Sequence, residues 1–169
     1  NIFGLYYRTV KHLKLKQVFY RIKRSILKPI LPSYKKLDNP NLREFKSTKD
    51  FPTKIKSILD RNKFTFLNKQ SDISFPGVWE DHSIPLLWMY NLNYFDGLLN
   101  QETSEELKKE HIERWISDNS YKLSIAWDAY PTSLRICNWI KWMWKTNNYN
   151  SEIIASLFQQ SCYLEKNLE

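Results

Sequence analysis

From residue 85 onward the chain repeats one pattern four times: about fifteen residues of helix-period apolar spacing, then a short polar link. The first segment covers 86–100. The second opens on Thr-Ser-Glu-Glu at 103–106, a capping box with Thr103 as the cap and Glu106 at the third helical position. It places Leu107, His111, Ile112 and Trp115 on one face and runs to 119. The third starts near Pro131, a residue suited to a helix's first turn, and ends around Thr146. The fourth starts near Ser151 and shows Ile154, Leu157, Phe158 and Leu164. Helices of this length on short links favour antiparallel hairpins. Glycine is scarce, at 3 residues, which also favours helix over turn-rich sheet.

The front of the chain is different. Residues 1–69 hold 18 Lys+Arg against 4 Asp+Glu, while residues 70–169 hold 8 against 14, so the net +8 averages a basic front and a mildly acidic back. Residues 8–28 read as a basic amphipathic helix, with Leu15, Val18, Phe19, Ile22 and Ile26 in one stripe and Pro29 and Pro32 stopping it. A connector follows over 33–53, and a shorter helical piece is expected over 53–62. KFTFLNKQ (63–70) alternates like a strand or an extended wrap, and the Pro-Gly of SFPGVWED marks a turn. The expected division is 1–62, basic helix and connector, and 63–169, a helical domain.

A basic segment suits nucleic acid, an anionic membrane surface or an acidic polysaccharide. No apolar run in the sequence approaches the ~20 residues that span a bilayer, and no signal-peptide pattern is present. The compartment stays open between cytoplasm and periplasm. Cys137 and Cys162 have no metal or redox spacing and read as buried free thiols. His12, His82 and His111 make no ligand set with each other. No phosphate loop, dinucleotide fingerprint or Ser/His/Asp grouping occurs, so no metal, cofactor or catalytic residue is assigned. His111 reads as a structural histidine with satisfied nitrogens.

Two stretches carry polar groups among aromatics. In LWMYNLNYFDGLL (87–99), Leu87, Asn91, Tyr94, Phe95 and Leu98 share a face, putting the Asn91 amide in an apolar stripe. Asn93 and Asp96 fall on other faces. In AWDAYPTSLRICNWIKWMWK (126–145), Arg135, Asn138, Trp139 and Trp142 follow at i, i+3, i+4 and i+7. Trp127, Asp128 and Tyr130 occupy the preceding loop. A guanidinium binds carboxylate or sulfate through a planar fork, and aromatic faces suit the apolar side of a sugar ring. The competing reading is a packed core, in which Asn91 bonds backbone and Arg135 pairs with an acid while stacked on Trp.

These stretches, together with ERWISDN (113–119), resemble the N-terminal portion of the heparinase II/III-like polysaccharide lyases. YRTVKHLKLKQVFYRIKR (7–24) and FTFLN (64–68) look like the leader of that group's bacterial members. The resemblance implies an all-α fold of antiparallel helical hairpins forming part of an incomplete (α/α) toroid, normally followed by a β-sandwich. It implies β-elimination on an acidic, uronate-containing polysaccharide. A group neutralises the carboxylate, Tyr or His removes the C5 proton, and Tyr protonates the leaving oxygen. In the family, an Asn-His motif and the catalytic Tyr follow the matched portion, so this chain is expected to be a truncated, inactive fragment that contributes substrate contacts. The candidate substrate-binding residues are Asn91, Tyr94, Trp127, Tyr130, Arg135, Asn138 and Trp139. The expected partner is an acidic polysaccharide rather than nucleic acid. The alternative is a non-catalytic carbohydrate-binding or envelope-polysaccharide accessory module.

Overall fold

The computed structural model describes Phe19 and residues 29–34, 51–74 and 79–167. The expected basic helix over 8–28, the connector and the Pro-Gly turn lie outside those residues, or nearly so. The chain divides into two compact units, residues 1–30 with 167–169, and residues 31–166. The second unit is mostly helical. It contains β1 (Lys63–Phe66), β2 (Lys69–Asp72), α1 (Leu86–Tyr94), α2 (Glu105–Asn119), α3 (Ala129–Thr146) and α4 (Ser151–Asn167). Short 3-10 turns occupy Asp96–Leu99 and Ile125–Trp127.

The strand reading of 63–70 becomes an antiparallel hairpin, Phe66 facing Lys69. Leu67 and Asn68 both adopt positive φ, 53° and 59°, the geometry a two-residue turn needs to match strand twist. Residues 53–62 form no helix; 59–63 close a tight turn, with the Leu59 amide donating to the Lys63 carbonyl at 2.9 Å. Ile58 bridges to Phe64, and the Thr65 amide donates to the Ser57 carbonyl at 2.9 Å. Of its apolar residues only Ile58 is buried, beside the buried Ser57. Ile55 is exposed, so the segment has no apolar stripe for a helix to bury.

The first helix is shorter than 86–100. It ends at Tyr94 because Phe95 takes a left-handed conformation, φ 61°. That turn drives the Phe95 ring into the core, against Trp79, His111 and Trp139. Its buried face also differs from the expected one: Trp88, Met89, Leu92, Asn93 and Tyr94 are buried, while Leu87 is exposed. Apolar residues surround α1 on nearly every side, so periodicity alone did not select the inward stripe.

Helix α2 is capped by Ser104, not Thr103. The Ser104 hydroxyl accepts from the Leu107 amide, and Thr103 bonds the Asn100 side chain instead. Its expected face is largely right, with His111, Ile112 and Trp115 buried and Leu107 half-buried. Helices α3 and α4 lie within two residues of their expected starts. Phe158 of α4, expected inward, is exposed, as is Cys137 of α3; Cys162 is half-buried.

The 3-10 turn after α1 has no room for a side chain at Gly97. A Cβ there would stand 2.5 Å from Ser57 Oγ and 3.0 Å from Ile58 Cγ1. Gly97→Ala therefore pushes the 57–58 strand off the helices and costs about 1–3 kcal/mol of unfolding free energy in a denaturant titration. Full wild-type stability would show that the approach relaxes freely.

Six tryptophans, Trp79, Trp88, Trp115, Trp127, Trp139 and Trp142, are buried in one cluster. A buried indole brings an N–H that needs an acceptor, and the fold supplies most of them from its own polar groups. Trp115 donates to Asn93 Oδ1 at 3.0 Å, Trp127 to the Asn119 carbonyl at 2.9 Å, and Trp142 to Glu105 Oε2 at 2.7 Å. Trp79 donates to Asp118 and Trp88 to the Lys69 carbonyl, each at 2.9 Å. Trp139 Nε1 has no such partner. Of the side-chain amides among the described residues, Asn93 is the one that answers an indole.

Candidate functional site

The seven nominated residues separate into an interior set and a surface set. Arg135 is the centre of the interior set. It is completely buried, its guanidinium 3.9 Å from the Trp115 ring centroid. Its Nε donates to Gln160 Oε1 at 2.8 Å, and one terminal nitrogen reaches the Ala126 carbonyl at 2.8 Å and the Asn93 carbonyl at 3.4 Å. The other terminal nitrogen donates to Thr132 Oγ1 at 3.1 Å. Desolvation lowers its pKa well below the ordinary value. Neither a carboxylate nor Asp128 pairs with it. All of its bonds go to neutral protein acceptors, which tie α3 to α4 and to the end of α1.

Trp127 and Trp139 are also fully buried, each packed on Trp115 with centroids 5.4 and 5.5 Å away. Asn138 is nearly so. Its amide donates at 2.8 Å both to the Tyr94 carbonyl, one of α1's last, and to Asp96 Oδ1. Asn91 is half-buried, and its amide donates to the Leu87 carbonyl of its own helix at 2.7 Å. The amide in the apolar interior is Asn93, which was assigned to another face. It bonds the Met89 carbonyl and the Trp115 indole.

The surface set forms a strip where α1 lies against the start of α3. Tyr130 is 63% exposed, and the Tyr94 ring meets it edge-on with centroids 5.6 Å apart. Beside them, Tyr90 donates its phenol hydrogen to Asp128 Oδ2 at 2.5 Å. Asp128 is the residue before α3, yet it makes no side-chain cap bond to that helix; its carboxylate serves Tyr90 instead. That bond holds Tyr90 in its protonated form, its pKa pushed up to about 12. Burial of the Tyr94 phenol, with Tyr130 and Asp96 nearby, raises its pKa too. The strip continues from Asn138 to Asp96, and Asp96 pairs with Lys54 at 3.6 Å.

Tyr94 and Tyr130 are thus brought together, and Asn138 bonds the Tyr94 carbonyl. Arg135, Trp127 and Trp139 face inward, and Asn91 keeps to its own helix. Tyr90, Asp96 and Lys54 join the strip unannounced, while Asp128 comes from the loop already marked beside Tyr130. Tyr90 stands four residues before Tyr94 and shares its side of α1, a signal available in the sequence. Its acceptor lies 38 residues away, beyond the reach of any spacing rule.

Among the described residues no group of three or more His, Cys, Asp or Glu could hold a metal ion, and no helix is long and apolar enough to cross a membrane. Comparison with protein-family models, curated proteins and solved structures finds no match.

Proposed function

We propose that this chain binds an acidic, uronate-containing polysaccharide along the tyrosine strip, as part of a heparinase II/III-like lyase whose helices belong to an incomplete (α/α) toroid. One observation carries the binding reading: an exposed Tyr130 ring met edge-on by Tyr94, on the same stretch as the bonded Tyr90–Asp128 pair. An aromatic face offers the C–H side of a pyranose an apolar contact without burying the sugar's hydroxyls. Tyr90, Asp128 and Asp96 supply bonds to those hydroxyls, and the Lys54 ammonium supplies a counter-charge for a uronate carboxylate. The lyase part of the reading rests on the sequence resemblance.

Titration of the protein with uronate oligosaccharides tests the site. Tyr130→Ala is expected to weaken binding about fivefold, since a stacked ring contributes roughly 1 kcal/mol. The thermal midpoint should stay within a degree or two of wild type, because the ring is exposed. Undiminished affinity in Tyr130→Ala would remove the strip from consideration. Elimination chemistry is read separately, as an ultraviolet-absorbing unsaturated uronate released by protein containing this chain.

A further inference from the structure

The charges along the strip point to more than glycan binding. Asp128 is exposed, and its one partner among the described residues is the neutral Tyr90 phenol. No ion pair involving Asp128 is found among those residues. Asp96 is partly neutralised by Lys54 at 3.6 Å, and both side chains remain about two-fifths accessible. The strip therefore holds two carboxylates and one ammonium, with the uncompensated carboxylate two residues before the Tyr130 platform. A carboxylate accepts a hydrogen bond from a free sugar hydroxyl. A sulfate ester at the same position has lost that hydrogen and brings a negative charge toward Asp128, which repels it.

We infer that the strip selects unsulfated glycuronans over sulfated ones. Asp128 reads a free hydroxyl on the sugar stacked against Tyr130, and Lys54 takes the carboxylate of a neighbouring uronate. This inference rests on the binding reading above and adds a discrimination to it. Tyr90 supports the arrangement. Its phenol remains protonated well above neutral pH and keeps donating to Asp128, so the carboxylate is held in one orientation while its second oxygen is left for ligand.

The test uses the whole chain and one oligosaccharide in two forms: an unsulfated glycuronan, and the same material sulfated chemically at its hydroxyls. Affinities are measured by calorimetry at a fixed salt concentration near physiological. Each is measured for wild type, Tyr130→Ala and Asp128→Asn, and binding at the strip is defined as the part that Tyr130→Ala removes. This definition matters because the basic front of the chain will hold a sulfated polymer by charge alone, an attraction that salt screens and Tyr130→Ala leaves untouched.

The expected result is binding at the strip about tenfold tighter for the unsulfated form. Asp128→Asn should narrow that preference to about threefold or less, with the thermal midpoint unchanged. Equal or tighter binding of the sulfated form at the strip would overturn the selectivity while leaving the glycan site standing. So would an unchanged preference in Asp128→Asn. If neither form shows any component sensitive to Tyr130→Ala, the site itself falls, and the selectivity with it.

Discussion

Arg135→Leu is expected to destabilise the 31–166 unit by about 4 kcal/mol, near the upper end of what single substitutions do. The loss does not come from an ion pair, because Arg135 makes none among the described residues. It comes from the acceptors the guanidinium leaves behind. Gln160 Oε1, the Ala126 carbonyl and Thr132 Oγ1 all receive bonds of 3.1 Å or shorter inside a dry interior. Each buried acceptor stranded without a donor costs on the order of 1–3 kcal/mol; the Ala126 carbonyl is the least exposed to this, since it keeps the Thr132 hydroxyl at 3.4 Å. The face-on contact with Trp115 is lost as well, worth about 1–2 kcal/mol when desolvated. Removing a buried charge returns some of this, since the folded state no longer desolvates a cation. Arg135→Lys should recover only part of the stability. An ammonium on a flexible stem cannot span acceptors on α3, α4 and the loop before α3 at once, as a planar fork does. Chemical denaturation of the three proteins checks the order wild type, then Lys, then Leu. A loss under about 1 kcal/mol for Leu would show that the acceptors find water or other donors. The fold would then not hang on this residue.

Arg135 also shows why the helices were easier to read than the site. Periodicity groups residues onto one face of a helix, and Arg135, Asn138, Trp139 and Trp142 do share a face of α3. It does not say whether water or another helix covers that face. The capping-box pattern at 103–106, the proline in the first turn of α3 and the alternation of KFTF are local signals, so α2, α3 and the first strand could be placed to within a residue or two, although the cap proved to be Ser104 and the pairing of 63–66 with 69–72 was not foreseen. Helix α1 has no such bias. With leucines, aromatics and amides on every side, its inward stripe is decided by which partners arrive. Asn93 thus took the interior position assigned to Asn91, two residues away. The strip's central bond joins Tyr90 to Asp128 across 38 residues and exists only because α1 packs beside the start of α3. Tyr94 and Tyr130 were legible as aromatics bordering polar groups. Their meeting required the fold.

Acid should weaken the protein through His111, and His111→Phe should remove most of that weakness. The imidazole is enclosed by the rings of Phe64, Trp79 and Phe95, with centroids 4.9, 5.3 and 4.3 Å away. Contrary to the satisfied histidine expected from sequence, neither of its nitrogens has a hydrogen-bond partner. Burial first, then the nearby Arg114 guanidinium, opposes its charge and brings its pKa from 6.5 down to about 3. In the unfolded chain the same residue protonates near 6.5. Between these values the unfolded state binds the extra proton, so stability rises with pH across this window and falls as pH drops through it. Above about 6.5 the residue contributes no slope. Below, each pH unit costs roughly 1.4 kcal/mol, or about 2–3 kcal/mol between pH 7 and 4.5. The lowered pKa of Asp81 acts below the ordinary carboxylate value of 3.8, outside that interval. Phenylalanine matches the ring's shape among three aromatic neighbours and abolishes two buried nitrogens that make no bond. It should therefore be at least as stable as wild type at pH 7 and clearly more stable at pH 4.5. Unfolding free energies measured at both pH values decide the matter. Parallel losses in the two proteins would mean that the imidazole is reached by water or by a partner in solution, and that acid acts elsewhere.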